Sequence, residues 1–315
     1  MSDAIERFGR YMAAERRCSP ATVDIYTRDL RGFEAYLKAA ADSSSAAGFD
    51  PAAVTLADVR GWVMREVEAG TAVGSVNRKI STLRSFFRYL MREGIVASNP
   101  VREIKALRGG RRLPVFVEQS RMTQLVRVLE EPSEEFPIER DATVILLLYG
   151  CGLRRSELAS LTLGSIDLRA GTVRVMGKGA KERIVPILPE VATRLEHYLL
   201  LRAKEKICES AENCLFLTNK GRGLSAQGVY GIVRSYLAAA GVQGKRSPHV
   251  LRHTFATHLM QHGASVRVVQ QLLGHASLAA TQIYTHNTIE SLKKTYNQAH
   301  PRAMSNIQKT KEDKV

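Results

Sequence analysis

Between His249 and Tyr284 the chain reads HVLRHTFATHLMQHGASVRVVQQLLGHASLAATQIY. His249 and Arg252 stand three residues apart, His275 follows a Leu-Leu-Gly turn, and Tyr284 comes nine residues after His275. Arginine offers a planar, permanently ionised fork of donors that matches the non-bridging oxygens of a phosphate. Histidine adds a hydrogen bond whose charge is adjustable near neutral pH. Tyrosine has an oxygen that can attack phosphorus and hold a covalent intermediate. On a helix, His249, Arg252 and His253 share one face, because positions three and four apart are neighbours. Ser247-Pro248 precedes them and puts them in the first turns, where free N–H groups and the positive end of the helix dipole favour an anion.

Two upstream segments carry groups of the same kind. Arg154 follows a Gly-Cys-Gly turn in YGCGLRRSEL, and Glu157, three residues on, can orient it by a charged hydrogen bond. Lys178 lies between two glycines at an expected hairpin tip, where a lysine can donate a proton to a leaving oxygen. That Gly-Lys-Gly lacks the upstream glycine spacing and following Ser/Thr of a nucleotide-binding loop. Each of these residues taken singly is also what a solvated turn or surface cluster contains. His249/His253 and His258/His262 have the i,i+4 spacing of zinc chelators. The HExxH pattern is absent, however, and Arg252 would repel a cation, so neither metal nor any other cofactor is expected.

Composition agrees with an anionic partner. The chain has 315 residues, 46 Lys plus Arg against 31 Asp plus Glu, and a net charge of +15. Such an excess favours a polyanion, most commonly nucleic acid. The hydrophobic fraction of 44% is ordinary for a globular protein, and the length suits two domains. Cys18, Cys151, Cys208 and Cys214 form no CxxC pair and read as isolated thiols of a reducing compartment. The start, MSDAIERFGRYM, has no apolar signal core, and the longest apolar run, Val144 to Tyr149, is far short of the ~20 residues of a membrane span. A cytoplasmic protein is expected.

The elements that must hold these groups divide near residue 110. The N-terminal part reads as helices. Ser19-Pro20 opens one, with Val23, Tyr26, Leu30, Phe33 and Leu37 on its buried face. Asp42 to Pro51 is a loop by composition. Thr55 caps the next helix, with Val59, Trp62, Val63 and Val67 inward. A helix from Ser75 to Met91 buries Ile80, Leu83, Phe87 and Leu90. It carries a second stripe, Asn77, Ser81, Arg84, Arg88 and Arg92, roughly a third of a turn away, that suits a phosphate backbone or a groove. Asn77, Arg78, Lys79, Arg84 and Arg88 are the candidate nucleic-acid contacts. Leu107 to Pro114, LRGGRRLP, reads as a basic linker.

The C-terminal part is mixed. A buried helix over Asp141 to Tyr149 is broken by Gly150-Cys151-Gly152, and another starts at Arg154. Thr172 to Ile187 alternates as a hairpin whose tip carries Lys178, Lys181 and Arg183. Helices follow at Pro189–Lys206, Ser225–Ala240, His249–Gln261, Val266–Leu273, Leu278–Ile283 and Ile289–Ala299. The fold class is mainly α with one small β-sheet in the C-terminal domain.

The order Arg154, Lys178, His249, Arg252, His275, Tyr284 resembles the tyrosine recombinase (phage integrase) family over nearly the whole chain. YGCGLRRSEL, VMGKGAKERIVPI, SPHVLRHTFATHL and LLGHASLAATQIYTH carry the likeness. The Xer branch is nearest, its XerC-like members above all, on LRSFFRYL, VMGKGAKER and the late AHPRA.

The resemblance implies a SAM-like helical core-binding domain over residues 1–106, a linker over 107–114, a catalytic domain over 115–300 and a basic tail over 301–315. The two domains would form a C-shaped clamp on DNA. It further implies that Arg154 and Arg252 clamp the scissile phosphate and that Lys178 is the general acid. His249 would aid proton transfer, His275 would hydrogen-bond the phosphate, and Tyr284 would be the nucleophile. Cys151 and Arg155 depart from the residues usual beside the first arginine. The partners implied are duplex DNA, a homo- or hetero-tetramer on two duplexes, a second Xer-type recombinase and a cell-division DNA translocase. Other readings of the same residues are a non-catalytic DNA-binding relative, a topoisomerase of similar chemistry, and a mobile-element integrase.

Overall fold

A computed structural model describes residues 1–40, 50–109, 115–177 and 182–274. Lys178, His275 and Tyr284 lie outside the described residues, as do the expected helices at Leu278–Ile283 and Ile289–Ala299 and most of the expected loop and linker. The chain divides into two compact units, Met1–Arg112 and Leu113–Val315.

In the first unit, four helices surround one core: α1 (Ser2–Ala14), α2 (Pro20–Ala40), α3 (Leu56–Glu68) and α4 (Val73–Arg92). Ser19 Oγ accepts from the Thr22 N–H ahead of Pro20, as a cap before an N1 proline should. Thr55 and Asp58 exchange hydrogen bonds in a capping box at the start of α3. Leu30, Phe33, Val59, Trp62, Ile80, Leu83, Phe87 and Leu90 meet in the core. Each contributes about 1.5–3 kcal/mol by leaving water. Val67, expected inward, is exposed in the last turn of α3.

The second unit is built around α6 (Phe136–Cys151), whose residues Val144 to Leu148 are at most 1% exposed. A helix apolar on all sides belongs inside a domain. Around it stand α5 (Gln119–Glu130), α7 (Arg155–Ala159), α8 (Pro189–Arg202), α9 (Ala226–Ala239), α10 (Pro248–Gln261) and α11 (Val266–Leu273). A three-stranded antiparallel sheet has the order β1 (Ile166–Asp167), β2 (Thr172–Met176), β3 (Glu182–Pro186). Its hairpin register pairs Val173 with Val185 and Met176 with Glu182.

Two local expectations change. Gly150 and Cys151 do not break α6, which runs through both and stops at Gly152, in the left-handed region at φ 59°. Arg183 is not at an exposed tip; it lies in β3 and is 4% exposed. Among the described residues no helix is long and apolar enough to cross a membrane.

Candidate active site

Gly152 ends α6 in a conformation that only glycine adopts freely, and the turn delivers Arg154 to the N-cap position of α7. Glu157, one turn into that helix, receives the Arg154 backbone N–H on Oε2 at 2.7 Å and the Arg154 Nη1 on Oε1 at 2.6 Å. Arg183 reaches the same carboxylate from β3, Nη1 to Oε1 at 2.8 Å and Nη2 to Oε2 at 2.9 Å. Arg252 comes from α10, its Nη1 3.7 Å from Oε2. One carboxylate therefore stands among three guanidiniums.

The electrostatics follow from that count. Burial alone would raise the Glu157 pKa, but hydrogen bonds from Arg183 and from the Arg154 backbone outweigh it and bring it down to about 2. Arg252 is pushed down to about 10, by burial first and then by Arg154, with Glu157 opposing. It is still a cation at neutral pH. Its donors are fixed by carbonyls: Nη1 on Gly152 O at 2.7 Å and Nη2 on Leu273 O at 2.5 Å. Arg252 thus joins the end of α6, α10 and the end of α11. Arg154 keeps 33% of its side chain exposed, so it can meet a ligand from solvent.

His249 sits at the start of α10 behind Ser247-Pro248, exposed. Partial burial, and then the cations Arg155, Lys245, Arg252 and Arg154, lower its pKa below the usual histidine value. Its imidazole is neutral at pH 7 and able to accept a proton. The Ser247 hydroxyl at the N-cap is buried and has no hydrogen-bond partner among the described residues.

Arg154, Arg252 and His249 are therefore gathered at the ends of α6, α7 and α10. His253 instead stands half-buried, its ring centroid 6.4 Å from that of Phe116. His258 is buried with Nδ1 3.0 Å from the Tyr149 hydroxyl, and His262 Nδ1 is 2.7 Å from the His258 carbonyl oxygen. No cluster of three metal-ligating side chains is present among the described residues. Cys151 is buried, its thiol 3.6 Å from Pro186 O and pushed up to about 12 by burial. It acts as packing between α6 and β3, while Arg155 is exposed.

In the first unit, several of the candidate nucleic-acid contacts hold the fold. Asn77 exchanges two hydrogen bonds with the Leu107 backbone, at 2.7 and 3.0 Å. Arg84 donates to Ile104 O at 2.6 Å, Arg78 pairs with Asp29, and Lys79 pairs with Glu66 at 2.5 Å. Arg88 is exposed. Around this site, sequence reasoning misplaced Arg183. Its signal was the alternation of β3, which puts residue 183 on the same side as the buried Val185.

Comparison with known proteins agrees with the fold. Residues 116–291 match the model of the phage integrase family, and residues 5–94 match its N-terminal SAM-like domain. The chain belongs to the phage integrase family, the tyrosine recombinases. Xer recombinases are among its relatives there. It is 39% identical to tyrosine recombinase XerC of Thermodesulfovibrio yellowstonii over 302 residues, covering 94% of this chain and 96% of the relative. It is 37% identical to tyrosine recombinase XerD of Listeria monocytogenes serotype 4b, covering 96% of this chain and 100% of the relative. Likeness to XerC and to XerD is thus nearly equal. Among solved structures, XerH recombinase bound to a palindromic difH substrate shares the fold at TM-score 0.69 and 22% identity, over 93% of this chain and 83% of that one. The Tn1549 transposon integrase with transposon end DNA does so at 0.68 and 19%, over 93% and 98%.

Proposed function

We propose that this chain is a site-specific DNA recombinase that cuts and rejoins strands through Tyr284. The observation that carries the reading is the pair Arg154 and Arg252, gathered beside a neutral His249 at the start of α10. Two cations and an adjacent proton acceptor are what an in-line attack on a phosphodiester needs. The Tyr284 oxygen bonds to phosphorus, its proton passing toward His249, and the bond to the 5′ oxygen breaks. Lys178 protonates that leaving oxygen, and His275 adds a hydrogen bond to the phosphate. The product is a 3′-phosphotyrosyl link and a free 5′ hydroxyl. The 5′ hydroxyl of a partner duplex then attacks the link and releases the tyrosine. One phosphodiester is exchanged for another, so neither a nucleotide nor a metal is consumed.

The likeness to XerC and XerD supports a role in resolving chromosome dimers at cell division, in the cytoplasm, with four protomers on two duplexes. A second Xer-type recombinase and a DNA translocase are the proposed partners. Asn77, Arg78, Lys79, Arg84 and Arg88 remain the proposed DNA contacts of the first unit, Arg88 the most open of them. The segment around Ile289–Ala299 is proposed to dock on a neighbouring protomer. Deleting residues 288–315 is then expected to weaken assembly on paired sites more than binding to one site; equal losses by gel shift would discard the docking. For the chemistry, the substrate is a nicked duplex that traps the covalent product, carrying a site recovered by binding selection from random DNA. The unsubstituted chain is expected to form a complex stable to denaturant, and Tyr284→Phe none. Covalent product from the phenylalanine variant would remove Tyr284 from its role.

A further inference from the structure

Arg183 is the most completely engaged cation around the site, and the mechanism above does not use it. Its guanidinium meets both oxygens of Glu157 in a bidentate pair, at 2.8 and 2.9 Å. Its Nε donates to Leu272 O at 3.1 Å, in the last turn of α11. Its Cδ lies only 2.8 Å from where a Cβ on Gly274 would stand, and Gly274, at φ 62°, caps α11 immediately before His275. So a side chain of β3 fastens the base of α7 and the end of α11 at once.

The charges give the arrangement its purpose. Glu157 carries one negative charge and faces Arg154, Arg183 and Arg252. The bidentate geometry gives Arg183 the strongest hold on it. Without Arg183, the carboxylate would be left with Arg154 and Arg252 as its counter-ions, and their charge would be spent inside the protein. We infer that Arg183 is a positioning residue: it is the standing counter-ion of Glu157, leaving Arg154 and Arg252 charged toward a phosphate, and it fixes the point from which the chain runs on to His275. The inference rests on the phosphate-clamp reading of those two arginines.

The test uses the full chain and the trapping duplex described above. Rates of covalent complex formation are measured at saturating protein, and affinities separately. Arg183→Gln is expected to lose about 100-fold in rate while affinity changes by less than about threefold, since the defect lies in the reacting geometry. The informative variant is the double one, Arg183→Gln with Glu157→Gln. Removing the stranded carboxylate is expected to restore about tenfold over Arg183→Gln alone, because breaking one side of a buried ion pair is worse than removing both. A residue that merely packs would give a double variant no faster than the single, and that result overturns the inference, as does a wild-type rate in Arg183→Gln. Where circular dichroism shows Arg183→Gln unfolded, Arg183→Lys stands in. One ammonium cannot span both oxygens and the Leu272 carbonyl, so a loss of about tenfold is expected, and a wild-type rate overturns the proposal. Absence of covalent product from the unsubstituted chain would instead count against the recombination reading itself.

Discussion

At the scale of single residues, the site is an exercise in keeping positive charge where solvent and a buried carboxylate would both weaken it. Arg252 illustrates the problem. Burial lowers its pKa to about 10, yet two carbonyl oxygens hold its nitrogens in place and Glu157 opposes the shift. His249 is treated in the opposite sense. Partial burial and four nearby cations disfavour its charged form, so its pKa lies below 6.5. The sign of the consequence is fixed. The neutral ring, the form that can take a proton from a tyrosine, prevails above that pKa and is lost as pH falls through it. The rate of covalent complex formation is therefore expected to be flat near pH 7 and to decline on the acid side with an apparent pKa below 6.5. In His249→Ala that acid limb should vanish, and the rate should drop by about 100-fold, the ordinary contribution of a positioned proton acceptor. The measurement is a single-turnover pH profile of both proteins. An unchanged acid limb in the alanine variant would assign the titration to another group.

At the scale of elements, the ends of helices matter more than their middles. Gly152 at the end of α6 turns the chain so that Arg154 starts α7, and the same residue offers its carbonyl to Arg252. A Cβ added at Gly152 would stand 2.5 Å from the Phe255 ring and force a left-handed conformation on a residue that resists it. Gly152→Ala is expected to destabilise the second unit by about 3 kcal/mol, summing strain and overcrowding. Urea unfolding of the full chain measures this, and a loss below about 1 kcal/mol would show that α10 gives way easily. These ends also mark what the sequence made legible. Capping by Ser19-Pro20 and Thr55, the apolar face of α4 and the span of α11 could be read because local hydrogen bonding and periodicity decide them. The Gly-Cys-Gly turn and Ser247-Pro248 placed Arg154, His249 and Arg252 on helix starts, where the structure has them. Arg183 was misplaced because a charged residue near a glycine-rich tip reads as solvated, while its partner Glu157 is 26 positions away in sequence. The same blindness to distant partners hid the uses of Asn77 and Arg84, which hold the chain over 104–107 by backbone carbonyls and an N–H. The helix α5 escaped notice although Met122, Leu125, Val126 and Leu129 recur at the spacing of one buried helix face.

At the scale of the whole molecule, the groups proposed for chemistry and those proposed to hold DNA fall into different units. The two cores share no residue, one closing around Phe33, Phe86 and Phe87 and the other around α6. Every residue proposed to touch the reacting phosphate belongs to Leu113–Val315. The first unit offers exposed Arg88 and the rest of the basic stripe but none of those groups. A fragment comprising residues 113–315 should therefore fold on its own core and retain the reaction while losing much of its hold on DNA. The expected outcome is covalent complex formation at a saturating rate within about tenfold of the full chain, reached only at concentrations about 100-fold higher. The salt dependence of binding should also be shallower. Each phosphate that the first unit would have neutralised takes about one unit off the slope of log affinity against log salt when that unit is missing. Titration of both proteins with the trapping duplex at several salt concentrations separates the two effects. A fragment that stays folded but gives no covalent product at any concentration would mean that the first unit takes part in organising the reacting groups. Arg154, Arg252 and the buried pair Glu157–Arg183 would then be an incomplete site without it.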